Sequence, residues 1–339
     1  MKKLISVVVL VRNEELNLEE LRRRLNATMD RHPDYDWEVL AMDNGSEDSS
    51  SVILSEFCRQ DKRWKYVQLS RNFSAEGSMA AGLSLASGDA VCGLVSDLQD
   101  PPEILSDFIR EWRAGADVVY GKINRRSDSS ILRNMAARMA YLMIYHLSDC
   151  KIPSNAGSCH LLDRKVVDAL IGFPEVDRYF RGLVHWVGFQ QVGVAYDRAE
   201  RTRGETKAGF LYCFGFAINA IISFSSKPLR FILLTGLLVT SLSLLLAVIY
   251  LVLWLSGGNA PAGFTTIILI LLFSLGLQAL FLGITGEYLA AVYRQVKGRP
   301  VWIARKTIGF AQDLKRINEG KIRGPHESRA ISWRDGNAN

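Results

Sequence analysis

The chain has 339 residues, 48% of them hydrophobic and 22% charged, with 41 Lys and Arg against 35 Asp and Glu for a formal net charge of +6. Its five cysteines are an odd number with no Cys-x-x-Cys pair, which excludes a disulfide framework and a zinc site and fits a reducing cytosol. Basic residues gather beside two long apolar stretches, so the charge points to anionic lipid headgroups and away from nucleic acid.

Met1 to Val11 holds two lysines and an apolar run, but the run is too short for a signal peptide and no small-residue cleavage site precedes Arg12, Asn13, Glu14 and Glu15. It reads instead as a strand, Leu4 to Val11, followed by strands at Trp37 to Met42, Trp64 to Leu69, Ala90 to Val95 and Asp117 to Tyr120. Helical patterns alternate with them at Glu15 to Arg31, Glu47 to Arg59, Ala75 to Ala86 and Glu103 to Ala114. This alternation predicts an α/β domain with a mostly parallel sheet and ligands at the carboxyl ends of its strands. Polar residues fall at those ends: Asn13 and Glu14, then Asp43 to Ser46, then Asp97 to Asp100. Asp43 is equally well read as an Asx turn or helix cap ahead of Glu47.

After the fourth strand, Ser96-Asp97-Leu98-Gln99-Asp100 runs into Pro101 and Pro102, which stop the strand. If the segment is extended, Asp97 and Gln99 leave one face and converge on one hard cation, Mg²⁺ or Mn²⁺, shared with substrate phosphates.

From Phe231 to Gly286 no residue is charged, and the run divides at the breakers between Ser256 and Gly263. Phe231 to Leu255 and Phe264 to Thr285 each exceed the roughly 20 residues that cross a bilayer, so a two-helix transmembrane hairpin is expected. Lys227 and Arg230 precede it, and Arg294, Lys297, Arg299, Arg305 and Lys306 follow it, which places both termini in the cytoplasm. The apolar, aromatic stretch Phe210 to Ser226 suits the membrane interface. Gly276, Gly283 and Gly286 permit close helix approach, so a homo-oligomer is expected. The tail beyond Ile308 is polar and charged, and partial disorder is expected there.

Taken in order, Ser6 to Glu15, Asp43 to Asp48, Arg71-Asn72-Phe73, Asp97 to Pro102, Arg181-Gly182-Leu183 with Trp186 to Phe189, and Gly204-Glu205-Thr206-Lys207 resemble the motifs of family 2 glycosyltransferases. The similarity is to the polyprenyl-phosphate branch, which holds bactoprenol glucosyltransferases and dolichol-phosphate mannose synthases, and it covers the chain through Pro300. That resemblance implies a GT-A nucleotide-sugar-binding domain at 1–208, an interfacial helix at 209–228, two spans at 229–290 and a cytoplasmic basic tail at 291–339. The implied location is the inner (cytoplasmic) membrane. The implied reaction is inverting transfer of a sugar, glucose from UDP-glucose foremost, to undecaprenyl or another polyprenyl phosphate.

By the same resemblance, Leu10, Arg12, Glu14, Asp43, Ser96 and Asp97 line the donor, and Asp97 with Gln99 binds Mg²⁺ or Mn²⁺. Arg201 and Lys207 lie near phosphates, while Asp97, Ser158 and Arg181 stand at the reaction centre. The chain departs from the family pattern where Val95 replaces the first acid of Asp-x-Asp, Asn44 replaces an acid after the second strand, and Leu10 and Arg12 stand for Pro and Tyr. Ser158, within Gly157-Ser158-Cys159-His160-Leu161, stands where an acid is common, and His160 is a polar group beside it. Val95 and Ser158 motivate an alternative reading as a catalytically impaired relative that serves as a binding or scaffold subunit. Two spans offer little material for the channel of a processive polysaccharide synthase.

Overall fold

A computed structural model describes residues 2–126, 153, 155–199, 225–255, 263–311, 314 and 317–318. Along the first third, strands β1 (Lys3–Val11), β2 (Tyr35–Asp43), β3 (Trp64–Leu69) and β4 (Ala90–Val95) alternate with helices α1 (Leu18–Asp30), α2 (Ser50–Gln60), α3 (Ser74–Leu85) and α4 (Ile104–Arg113). Each lies within a few residues of its expected place. The expected short fifth strand is longer, β5 (Val118–Arg126), and is followed by β6 (Ala156–Asp163), α5 (Arg164–Ile171), α6 (Phe180–Trp186) and β7 (Gln191–Arg198).

All the strands join one eight-stranded sheet in the order β7-β5-β6-β4-β1-β2-β3-β8, where β8 is Ala304–Ile308. The pairs β1/β2, β1/β4, β2/β3 and β5/β7 are parallel, whereas β6 runs antiparallel to both β4 and β5. The parallel strands read as near-continuous Val, Ile and Leu because both of their faces are covered. On one face Ile5, Val7 and Val9 of β1 meet Leu21 and Leu25 of α1, Phe57 of α2 and Phe108 of α4. On the other, Val8, Leu40 and Met42 meet Met79 and Leu83 of α3, Val167 of α5 and Leu183 of α6. Burying a side chain of this size contributes on the order of 2 kcal/mol, so this double core is what fixes the strand ends that follow.

Helices α7 (Lys227–Leu255) and α8 (Phe264–Val296) are the two apolar runs. Lys227–Leu245 and Phe273–Val296 are long and apolar enough to cross a membrane, and neither stretch is buried by the rest of the protein. Leu234, Leu238, Leu271 and Phe273 are each more than 60% exposed, an arrangement that water does not favour. α8 continues past Thr285 and through Gly286 to Val296, and ends ahead of Gly298, whose φ is 57°. Its last turn is tied to the sheet domain: Arg294 pairs with Asp177, Gln295 Nε2 donates to the Pro174 carbonyl (2.7 Å), and the Val176 N–H donates to Gln295 Oε1 (2.9 Å).

The chain then returns to the sheet. β8, within the segment read from sequence as a basic tail, pairs antiparallel with β3 through Tyr66↔Ile308, Val67↔Thr307 and Gln68↔Lys306. Trp302, only 3% exposed, packs in the same core as α3. Residues C-terminal to the apolar helices thus close the sheet edge that β3 would otherwise present.

Candidate active site

The register aligns the carboxyl ends of three strands. Val11 lies beside Asp43, and Leu10 lies between Met42 and Val95. Beyond β1, β2, β3 and β4 the chain turns sharply, and one residue in each exit segment has a positive φ: Asn13 (52°), Gly45 (70°), Ser74 (68°) and Leu98 (59°). Three of the four are not glycine, and residues held in this region concentrate where a binding surface is built.

These exit loops are laced to one another. The Asn13 N–H donates to Ser46 Oγ (3.0 Å) while the Glu47 N–H donates to Asn13 Oδ1 (2.8 Å). The Glu15 N–H donates to Asp48 Oδ2 (3.1 Å) and the Ser49 N–H to Glu15 Oε2 (2.8 Å). Gly45 lies so close to the next loop that a Cβ there would stand 2.9 Å from the Arg71 carbonyl carbon. Asn44, 6% exposed, ties that loop down: its Nδ2 donates to Asn72 Oδ1 (2.9 Å) and the Ser74 carbonyl (3.0 Å), and its Oδ1 accepts from the Phe73 N–H (2.8 Å). The amide at position 44 therefore does structural work that a carboxylate, lacking a donor, cannot do.

Asp43 is fully buried at the floor of this edge. Its Oδ1 accepts from the Ser46 N–H and its Oδ2 from the Tyr66 hydroxyl, both at 2.8 Å. The Asx turn expected from sequence is present, and the carboxylate keeps capacity for further bonds. Burial beside the Asp43 carboxylate pushes the Tyr66 phenol well above its ordinary range, so it remains a donor. Glu14 is half-buried, and its Oε2 accepts from Asn17 Nδ2 (2.6 Å). Arg12 is exposed and Leu10 half-buried, with the Leu10 carbonyl accepting the Ser96 N–H (3.1 Å).

Asp97 and Gln99 do not lie on an extended segment. β4 ends at Val95, the positive φ of Leu98 reverses the chain, and the Gln99 N–H donates to Asp97 Oδ1 (3.2 Å) to close a turn. The common-face argument for this pair fails for that reason. Asp97 is 8% exposed, and Asp100 and Ser96 are buried. Among the described residues Ser96 Oγ and Asp100 Oδ2 have no hydrogen-bond partner. Tyr196 donates to Asp100 Oδ1 (2.6 Å), Arg198 pairs with the same oxygen at 3.3 Å, and the Ala199 N–H donates to the Gln99 carbonyl (3.0 Å). Thus the end of β7 is fastened to the Asp97 loop. Arg201 and Lys207 lie outside the described residues, as does most of the expected interfacial stretch.

Among the described residues no three His, Cys, Asp or Glu side chains are grouped to hold a metal ion. A hard cation shared with substrate phosphates needs only one or two carboxylates, and the all-oxygen set of Asp97, the Gln99 side chain and the unpartnered Asp100 Oδ2 has the matching chemistry.

The remaining wall comes from β6 and α6. The β4/β6 ladder runs up to Gly93↔His160, and because β6 is antiparallel Ser158, which precedes His160, lies toward the carboxyl end of β4. Arg181 Nη2 donates to Ser158 Oγ at 3.0 Å, which joins two residues expected at the reaction centre. His160 is buried, its ring stacks on Phe180 (centroids 5.3 Å apart, 26° between planes), and burial, aided by the nearby His185 and Arg181, holds its pKa down to about 4. It is a neutral packing group. The sequence marked Asn44 and Asp100 without a role of their own, and passed over Tyr196 and Glu76, whose Oε2 accepts the Phe180 N–H at 3.0 Å.

Residues 6–171 match the profile of glycosyl transferase family 2. An uncharacterized glycosyltransferase of Synechocystis sp., sll0501, is 36% identical over 315 residues, which cover 93% of this chain and 99% of the relative. The bactoprenol glucosyl transferase of Shigella phage SfII is 35% identical over 303 residues, covering 89% and 98%. Among solved structures, the mannosyltransferase PcManGT of Pyrobaculum calidifontis overlays 87% of this chain and 88% of its own at a TM-score of 0.45 and 15% identity. On the profile and the near full-length identity, the chain belongs to glycosyl transferase family 2.

Proposed function

We propose that the protein transfers a sugar, glucose from UDP-glucose foremost, to a membrane polyprenyl phosphate with inversion at the anomeric carbon. The carrying observation is the laced row of strand ends at Leu10 to Glu14, Asp43 and Ser96 to Asp97, walled by Ser158 and Arg181, in a domain fastened to two bare apolar helices. Near full-length relatives named for bactoprenol glucosyl transfer support the same reading. In it, residues 1–208 are the catalytic domain, 209–228 lie in the interface, 229–290 hold the spans, and the segment that follows returns to the sheet in the cytoplasm. At 1.5 Å per residue the 29 residues of α7 reach about 44 Å, more than the hydrocarbon of a bilayer.

The acceptor supplies its own nucleophile. A phosphate monoester has its second pKa near 6, so at cytosolic pH its oxygen needs positioning and charge neutralisation more than a strong base. Arg181, whose Nη2 donates to the Ser158 hydroxyl, carries a planar, permanently charged guanidinium that suits a phosphate. Asp43 and Glu14 face the nucleotide from β2 and the β1 exit, and Asp97 faces the diphosphate. Asp97, with Gln99 or Asp100, would hold Mg²⁺ or Mn²⁺, which would supply positive charge for the leaving diphosphate. The test is the product: extraction of the lipid phase and mass spectrometry yields a polyprenyl phosphate carrying one sugar with inverted configuration. A long polymer or a retained configuration contradicts the reading.

A further inference from the structure

Glu76 stands in the first turn of α3, directly after the β3 exit loop. Its Oε2 accepts the Phe180 N–H at 3.0 Å, across 104 residues of chain. Phe180 and Arg181 are the first two residues of α6, whose preceding residue Tyr179 makes no side-chain cap. One of the N–H groups left open at the start of this helix is therefore satisfied by a carboxylate from another helix. The Phe180 ring stacks on His160, and Arg181 reaches Ser158.

A glutamine accepts the same N–H and costs less to bury, so capping alone does not require a charge here. What the carboxylate adds is attraction to Arg181. Burial pushes the Glu76 pKa up to about 7, with the Phe180 N–H and the Arg181 charge opposing that rise. Among the described residues Arg181 is the side chain whose charge acts on Glu76. His160 and His185 both feel the Arg181 charge; burial holds His160 down to about 4, so it stays neutral near neutrality, and burial lowers His185 as well.

We propose that Glu76 is a positioning residue for Arg181: it anchors the start of α6 and, as the counter-charge of the guanidinium, sets where that guanidinium meets the acceptor phosphate. This rests on the acceptor reading of Arg181 given above. The carboxylate does not touch the reacting atoms.

The test uses full-length protein in lipid, with Glu76→Gln, Arg181→Ala and the double variant, titrated with undecaprenyl phosphate from pH 6 to 9. Glu76→Gln is expected to raise KM for the acceptor about tenfold with a smaller change in kcat, the size of one charge-assisted contact. It is also expected to abolish the limb near pH 7 in kcat/KM, to leave the melting temperature at pH 8 unchanged or higher, and to add nothing to Arg181→Ala. A wild-type KM and pH profile in Glu76→Gln overturns the proposal, as does a kinetic loss matched by a fall in melting temperature. If the native protein transfers no sugar to the lipid, the acceptor reading falls on its own. The link between Glu76 and Arg181 is then judged by a thermal double-mutant cycle at pH 8, where non-additivity supports it and additivity overturns it.

Discussion

The Tyr66 hydroxyl donates to Asp43 Oδ2 at 2.8 Å, and both side chains are fully buried. A carboxylate at the floor of the row of strand ends is thereby held in place by a neighbouring strand. Tyr66→Phe removes one of its two donors without opening a cavity. Stability is expected to fall by about 2 kcal/mol, the usual cost of a lost bond to a buried charge. Affinity for the nucleotide sugar falls with it. Urea unfolding and calorimetric titration check the two effects, and an unchanged midpoint contradicts the assignment.

Asn44→Asp gives the chain an acid that its family often carries, yet here it is expected to destabilise. Both donations from Nδ2, to Asn72 Oδ1 and the Ser74 carbonyl, are lost, and a carboxylate oxygen then faces two acceptors. The cost is on the order of 2 kcal/mol, and the Arg71 to Ser74 loop gains mobility. Hydrogen exchange at the Phe73 amide, which Asn44 Oδ1 now protects, reports that loop directly.

Acid sensitivity follows from His160. Its folded pKa of about 4 lies below its ordinary value of 6.5, so between those values the unfolded chain binds more protons and stability rises with pH. As pH falls from 6.5 towards 4 that contribution is lost. His160→Phe keeps a ring against Phe180 and removes the titration, so its melting temperature is expected to fall less steeply than wild type across this window. Parallel curves for the two proteins contradict the account.

A catalytic fragment ending at residue 226 lacks β8 and Trp302. It exposes the β3 edge from Tyr66 to Leu69 together with the apolar surface of α3. Light scattering is expected to reveal aggregation of this fragment, and supplying residues 297–318 in trans should reduce it. A monodisperse fragment with full melting temperature contradicts the role given to the returning strand.

Much of this was legible in the chain. Trp64–Leu69 and Ala90–Val95 have the bounds expected from their apolar runs, because turn residues flank them on both sides. Asp43 and Asp97 were found because polar residues recur where parallel strands end. β8 was not legible: Ala-Arg-Lys-Thr-Ile is an outer strand whose charges face water, and it reads as part of a basic tail. β6 opens with Ala-Gly-Ser and lacks the β-branched run that marks the earlier strands. The face shared by Asp97 and Gln99 was lost to a single residue, since nothing local announces that Leu98 takes φ 59°. Asn44 and Glu76 act on partners 28 and 104 residues away, and no local pattern encodes such pairings.

The most direct test is transfer of labelled sugar from a panel of nucleotide sugars to undecaprenyl phosphate, with purified protein in lipid, with and without Mn²⁺. The account predicts metal-dependent label in the lipid phase, greatest from UDP-glucose and abolished by Asp97→Ala. Folded protein that labels no lipid from any donor contradicts it, and makes Val95 and Ser158 the mark of a chain that binds without transferring.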